Sequence, residues 1–241
     1  MKTILSKNKF VFYFLSFLLL IHIPFGFSKS SKWKNNKHSV VISSTIAALY
    51  HQLNLDSLGL NEDAYINAMI GFDHLRHEGK LNNPDIISIV DFTKSSAEKR
   101  LFIIDVMSGR LLFNTYVAHG QNSGRAFAEK FSNKPSSLQS SLGFYETTNT
   151  YIGKNGYSLQ LKGLEKGIND NANARAIVIH GAAYVSEGLV KAQGFIGRSW
   201  GCPAIPEKLS KPIIDKIKNG SCLFIYAQDK NYLNKTSLLK S

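Results

Sequence analysis

The 241-residue chain carries 29 Lys+Arg against 17 Asp+Glu, a formal charge of +12, and 44% of its residues are hydrophobic. That is enough apolar content for one substantial domain with an appendage, and the absence of internal repeats or low-complexity tracts excludes a solenoid or a largely disordered chain. A basic protein is drawn to anionic polymers, but no run of basic residues is dense enough to read as a nucleic-acid tract.

The N-terminus sets the compartment. Lys2, Lys7 and Lys9 form a positive n-region, and Phe10 to Ile23 form an apolar run broken only by Ser16 and His22. Gly26-Phe27-Ser28 then offers small residues where a signal peptidase reads. The run is about 14 residues, short of the roughly 20 that span a bilayer. Residues 1–28 therefore read as a signal peptide, and the rest as exported to the periplasm or cell envelope. Export turns the expected partner from nucleic acid to anionic envelope polymers, with peripheral contact to an anionic envelope surface.

Residues 29–40 are polar and basic and read as a linker, and 41–82 as a small helical segment. Ile46, Leu49, Tyr50 and Leu53 recur at helical spacing, as do Tyr65, Ala68, Met69, Phe72 and Leu75. Asn61 is the expected N-cap of the second helix, with Glu62 and Asp63 in its first turn and Gly79 past its end. His74 and His77 lie three apart there, but lack a third ligand, and a solvated helix end is expected rather than a metal site.

From residue 83 to 230 the pattern is that of strands. Ile86–Asp91 and Leu101–Val106 are short and rich in β-branched or aromatic residues, and Ser108-Gly109 punctuates a hairpin into Leu111–Val117. Asn155-Gly156 signals a second hairpin, followed by Tyr157–Leu161. Ala176–His180 is a short apolar strand, Ile213, Ile214 and Ile217 mark a helix, and Cys222–Ala227 is the last strand. Residues 231–241 read as a loose polar tail.

Two cysteines in an exported chain first suggest a disulfide. The local sequences argue otherwise. Cys202 lies in a Gly/Pro-bounded loop, Arg198-Ser199-Trp200-Gly201-Cys202-Pro203, whereas Cys222 opens an apolar strand and fits a small buried hydrophobe. One nucleophile and one spectator is the better reading, and a Cys202–Cys222 disulfide in a non-enzymatic binding module is the alternative. A cysteine nucleophile benefits from a neighbouring base. His180 and His119 each end an apolar strand before a glycine, and spacing alone does not separate them. The N–H groups of Gly201 and Cys202 are candidate oxyanion donors.

His180-Gly181 followed by Ser199-Trp200-Gly201-Cys202 resembles the His-Gly…Ser-x-Gly-Cys signature of the YkuD-type L,D-transpeptidases. His180-Gly181-Ala182-Ala183-Tyr184-Val185-Ser186 and Gly197-Arg198-Ser199-Trp200-Gly201-Cys202-Pro203-Ala204 resemble the murein L,D-transpeptidase catalytic-domain subgroup. The likeness extends through Ser141-Leu142-Gly143 and Gly156-Tyr157-Ser158, over roughly residues 45–227. It implies a mainly β fold, a mixed β-sandwich, with Cys202 as nucleophile and His180 as its base. It also implies peptidoglycan stem peptides as substrate and no metal or organic cofactor. Where many members carry arginine or asparagine two positions after the cysteine, this chain has Ala204. Arg198 is the expected source of positive charge for a substrate carboxylate, with loop bracing as its other reading. Tyr184, Ser186, Gly181, Ser199 and His119 are expected around the substrate. The Ser186–Gly197 stretch is expected to form a loop over the cleft, with Trp200 either a cleft wall or packing.

Overall fold

The computed structural model describes residues 46–240, so the expected signal peptide (1–28), the whole expected linker (29–40) and the first residues of the expected helical segment (41–45) lie outside the described residues. Helix α1 covers 46–52, and its Tyr50 is buried with its hydroxyl on the Leu60 carbonyl (2.5 Å). Helix α2, Glu62–His77, starts where Asn61 accepts the Ala64 N–H (3.1 Å). It closes with Gly79 N–H on the Arg76 carbonyl and Lys80 N–H on the Leu75 carbonyl. That double bond pattern needs a left-handed residue, and Gly79 supplies it at φ +64. The apolar stripe of α2, with Tyr65, Phe72 and Leu75, packs into the same core as the strands. At Gly71 a Cβ would stand 2.0 Å from the Phe144 ring, so glycine sets how closely helix and sheet approach.

The strands are β1 Ile86–Asp91, β2 Leu101–Asp105, β3 Arg110–Thr115, β4 Gly143–Gly153, β5 Gly156–Gly163, β6 Val178–Ala182, β7 Ala204–Pro206 and β8 Cys222–Tyr226. They form one eight-stranded sheet in the order β3-β2-β1-β8-β4-β5-β6-β7. The β1–β8 and β6–β7 pairs are parallel and the others antiparallel, which makes the sheet mixed as expected. Its two edges nearly meet. Beyond β3 the chain donates Ala118 N–H to the Ala204 carbonyl of β7 (2.8 Å), and it exchanges bonds with Ser199 through His119 O (2.9 Å) and Gln121 N–H (2.7 Å). The mainly β architecture of the sequence reading holds, as one curled sheet with its apolar side chains turned inward.

Helices α3 Glu187–Gln193, α4 Glu207–Ile217 and α5 Lys230–Lys235 complete the fold. Helix α4 buries Ile213, Ile214 and Ile217. Three details differ from the sequence reading. The β4–β5 turn is Lys154-Asn155 rather than Asn155-Gly156, because Gly153 pairs with Gly156 and Gly156 takes the left-handed position (φ +73). Strand β4 is hidden in sequence by its Thr-Thr-Asn-Thr stretch, and a register shift between Thr147 and Thr150 falls there. The tail is not loose. Asp229 caps α5, Tyr232 and Thr236 are buried, and both hydroxyls donate to the carboxylate of Glu165, which also accepts the Phe144 N–H. Polar residues here serve a buried carboxylate rather than solvent.

Among the described residues no helix is long and apolar enough to cross a membrane. No group of three His, Cys, Asp or Glu among them could hold a metal. His77 pairs with Asp73 and His74 bonds the Leu238 carbonyl, in keeping with a helix-end role.

Candidate active site

The turn before β7 is held by two serine hydroxyls. Ser199 Oγ accepts the Gly201 N–H (3.0 Å) and donates to the Cys202 carbonyl (2.6 Å). Ser140 Oγ accepts the Gly120 N–H (3.0 Å) and bonds the Gly201 carbonyl (3.2 Å). Gly201 adopts φ +125, and a Cβ there would stand 2.8 Å from the Gln139 carbonyl, so the turn requires glycine on both counts. These contacts correct two sequence expectations. Ser199 is buried and braces the turn rather than facing a ligand. Gly201 N–H is already bonded, which leaves the Cys202 N–H as the amide of this pair with no partner among the described residues.

Cys202 presents a half-buried thiol whose hydrogen bond runs to the Ala176 carbonyl (Sγ···O 3.7 Å). Cys202 and Cys222 are both free. Cys222 is fully buried on β8, with β4, β5 and β6 between it and β7 in the sheet order. The Cys202–Cys222 disulfide is therefore not what the structure shows, and Cys222 is a buried strand residue.

His180 sits mid-strand on β6, opposite Ser158 of β5 and Ala204 of β7. Ala204 is two residues beyond Cys202, and the thiol itself contacts the chain just ahead of β6. The two candidate residues are thus neighbours across the β6–β7 edge, although no hydrogen bond joins them. Nδ1 bonds the Gly181 carbonyl at 2.9 Å. A carbonyl only accepts, so Nδ1 carries the proton and Nε2 keeps a free lone pair. Burial lowers the basicity of His180, with the Gly181 carbonyl opposing it. Burial raises the Cys202 thiol, opposed by the Val178 N–H and Arg175. Both shifts favour the neutral forms. Gly181 serves this arrangement through its carbonyl and by letting α4 approach, since a Cβ there would lie 2.8 Å from Ser210 Oγ. It offers no side chain to a substrate.

His119, the other candidate, is fully buried (0% exposed). Its Nδ1 receives Arg100 Nη2 at 2.8 Å, and its Nε2 lies 3.3 Å from the Gly124 carbonyl. A guanidinium only donates, so Nδ1 accepts and Nε2 carries the proton. Burial, reinforced by Arg100, pushes its pKa down to about 4. Arg100 is itself fully buried, bonded to the Val117 and Lys94 carbonyls and stacked over Phe92. With both nitrogens occupied, His119 props the 119–124 loop and is not offered to a substrate, contrary to expectation.

Arg198 is exposed, and its Nη1 bonds the Gln121 and Gly124 carbonyls (3.2 and 3.0 Å), so loop bracing is its observed role. Tyr184 packs against Gly197, and its phenol is raised to about 12 by burial, with Cys202 adding to the rise, so the two groups are neighbours. Ser186 caps α3 by accepting the Leu189 N–H, which makes the expected loop a short capped helix. Phe195 at its far side stacks under Arg125, linking that segment to the 121–128 loop. Trp200 is 71% exposed beside the thiol, a surface-facing ring rather than packing.

Sequence reasoning missed Arg175. It stands ahead of β6 in the linear chain, with no motif around it. Its place is set by distant partners, Ser132, Ser137, Gln139 and Ser141, which only the three-dimensional contacts reveal.

The site is thus a cysteine turn beside a strand-borne imidazole on a mixed curled sheet. The model of the L,D-transpeptidase catalytic domain family matches residues 56–226, and the chain belongs to that family. Similar solved structures include an L,D-transpeptidase from Mycobacterium smegmatis at 12% identity and TM-score 0.37, covering 59% of each chain. The helical cell shape determining protein Pgp2 from Campylobacter jejuni is 14% identical with TM-score 0.40, over 60% of this chain and 48% of its own. An L,D-transpeptidase from Stackebrandtia nassauensis is 11% identical with TM-score 0.36, over 83% and 96%. This chain thus spans 59% of the first of these structures and about half of the second. A comparison with curated proteins gave no match.

Proposed function

We propose that the protein is an exported L,D-transpeptidase that acts on peptidoglycan stem peptides. The observation that carries this reading is the pairing of a braced, half-buried Cys202 thiol with a neighbouring His180 whose Nε2 lone pair is free.

The chemistry follows from those groups. His180 Nε2 takes the thiol proton as Cys202 Sγ bonds to the carbonyl carbon of the third residue of a tetrapeptide stem. The Cys202 N–H stabilises the oxyanion that forms. Collapse breaks the peptide bond to the terminal D-alanine, whose amine leaves with the proton held by His180. An amine of a neighbouring stem then attacks the thioester, gives its proton to His180, and the thiol is restored. No cofactor enters these steps. Tyr184 lines the thiol's surroundings, and the exposed Trp200 flanks the entrance used by the stem.

The test is mass spectrometry of purified muropeptides incubated with the full chain lacking residues 1–28. Stem-to-stem products with loss of D-alanine are expected. Loss of D-alanine without joined products would reassign the site as an L,D-carboxypeptidase using water, cleavage between glycan and stem as an amidase, and unchanged muropeptides would overturn both enzyme readings.

A further inference from the structure

Arg175 stands beside the thiol with no part in the steps above. Its Nη1 donates to the Ser132 carbonyl (2.8 Å) and Ser141 Oγ (3.2 Å), and its Nη2 to the Gln139 carbonyl (2.5 Å) and Ser137 Oγ (3.3 Å). All four Nη hydrogens are thereby used. Among the described residues it forms no ion pair with a carboxylate, so its charge is held by dipoles and left un-neutralised.

The clamp lies directly behind the nucleophile turn. A Cβ at Gly201 would stand 3.3 Å from Arg175 Nη2 and 2.8 Å from the same Gln139 carbonyl that Nη2 binds. The next residue, Ala176, supplies the carbonyl that the Cys202 thiol contacts. Ala176 is held at φ +53 by a helix-type closure, with its N–H on the Asn173 carbonyl and the Ile177 N–H on the Ala172 carbonyl. Glycine is the usual residue at that left-handed position, so the chain accepts backbone strain where it aims a carbonyl at the thiol and a guanidinium behind it.

We propose that Arg175 is a positioning residue for Cys202, whose clamped guanidinium favours the ionised sulfur during acylation and fixes the turn from which that sulfur attacks. This rests on the reading of Cys202 as nucleophile. An unlike charge at short range favours the charged form of its neighbour. The groups around the sulfur are Arg175 from the turn before β6, the Val178 N–H and Tyr184 just after β6, with His180 of β6 paired to Ala204 two residues beyond Cys202; Tyr145 of β4 faces Arg175. Of these only Arg175 is cationic at rest.

The experiment is the pH dependence of Cys202 alkylation by iodoacetamide, read by intact mass in the Cys222→Ala background. Arg175→Gln should raise the midpoint by about one pH unit, and Arg175→Lys should leave it near the parent value. A folded Arg175→Gln protein, verified by circular dichroism, with an unshifted midpoint would overturn the proposal. Should that variant not fold, the ¹³Cζ shift of Arg175 in the parent protein decides. It should titrate with the alkylation midpoint and lose that inflection in Cys202→Ala, and a flat response would overturn the proposal equally. Alkylation needs no turnover, so failure of the transpeptidase reading, seen as unchanged muropeptides, is distinguishable from failure here.

Discussion

Ser199 and Cys202 are bound to each other across a four-residue turn, the Ser199 hydroxyl donating to the Cys202 carbonyl at 2.6 Å while accepting the Gly201 N–H at 3.0 Å. One hydroxyl therefore satisfies two backbone groups and fixes the direction of the thiol. Ser199→Ala leaves the Gly201 N–H without its partner, a cost of about 1–3 kcal/mol. Misplacement of a reacting group by about 1 Å can cost on the order of 100-fold. The expected outcome is a fall in kcat of roughly 10- to 100-fold with KM little changed, alongside a lower melting midpoint. Full activity in a folded Ser199→Ala protein would show that the turn holds without it.

The two histidines should separate cleanly. His180→Ala removes the free lone pair beside the thiol and should slow acylation by about 10²–10⁴-fold in folded protein. His119→Ala instead strips a partner from buried Arg100 Nη2 and should destabilise by about 1–3 kcal/mol, with turnover of the folded fraction retained. Thermal melts and single-turnover acylation, measured side by side, read both. The reverse pattern would move the base to His119.

The same buried histidine sets an acid limit on stability. Its folded pKa of about 4 lies below the unfolded value of 6.5. Between those pH values the unfolded chain binds a proton at this site that the folded chain does not, so stability falls as pH drops from 6.5 to 4. The full difference is on the order of 3 kcal/mol, and His180, lowered in the same direction, adds to it. Denaturant melts of wild type and His119→Gln at several pH values check this. The substitution should flatten the slope across that window, and parallel slopes would contradict it.

Much of this was legible in the chain because the residues concerned have local causes. The Asn61 cap and the Gly79 stop follow from spacing and turn chemistry, and β1 falls on the short β-branched run Ile86–Asp91. The contrast between Cys202 and Cys222 was equally readable as loop against apolar strand. What escaped depends on partners far away in sequence. His119 and His180 look alike along the chain and differ because Arg100 and the Gly124 carbonyl come to meet the first. Arg175 and the tail hydroxyls acquire their places through Gln139 and Glu165, which no periodicity announces.

The docked tail yields its own expectation. Thr236 and Tyr232 donate to the carboxylate of Glu165, whose pKa burial raises and these bonds pull down. Thr236→Val should leave that carboxylate short of a donor and cost about 1–3 kcal/mol, seen as a lower melting midpoint, with acyl transfer at permissive temperature unchanged. An unaltered midpoint would mean that the tail contributes nothing to the fold.

The central claim is that Cys202 carries the acyl group. Intact-mass spectrometry of the protein quenched in acid during reaction with a tetrapeptide stem tests it most directly. The account predicts one adduct with the mass of the stem less D-alanine, localised to Cys202, discharged by an added amine, absent from Cys202→Ala and retained in Cys222→Ala. Turnover by Cys202→Ala, or an adduct that maps elsewhere, would contradict it.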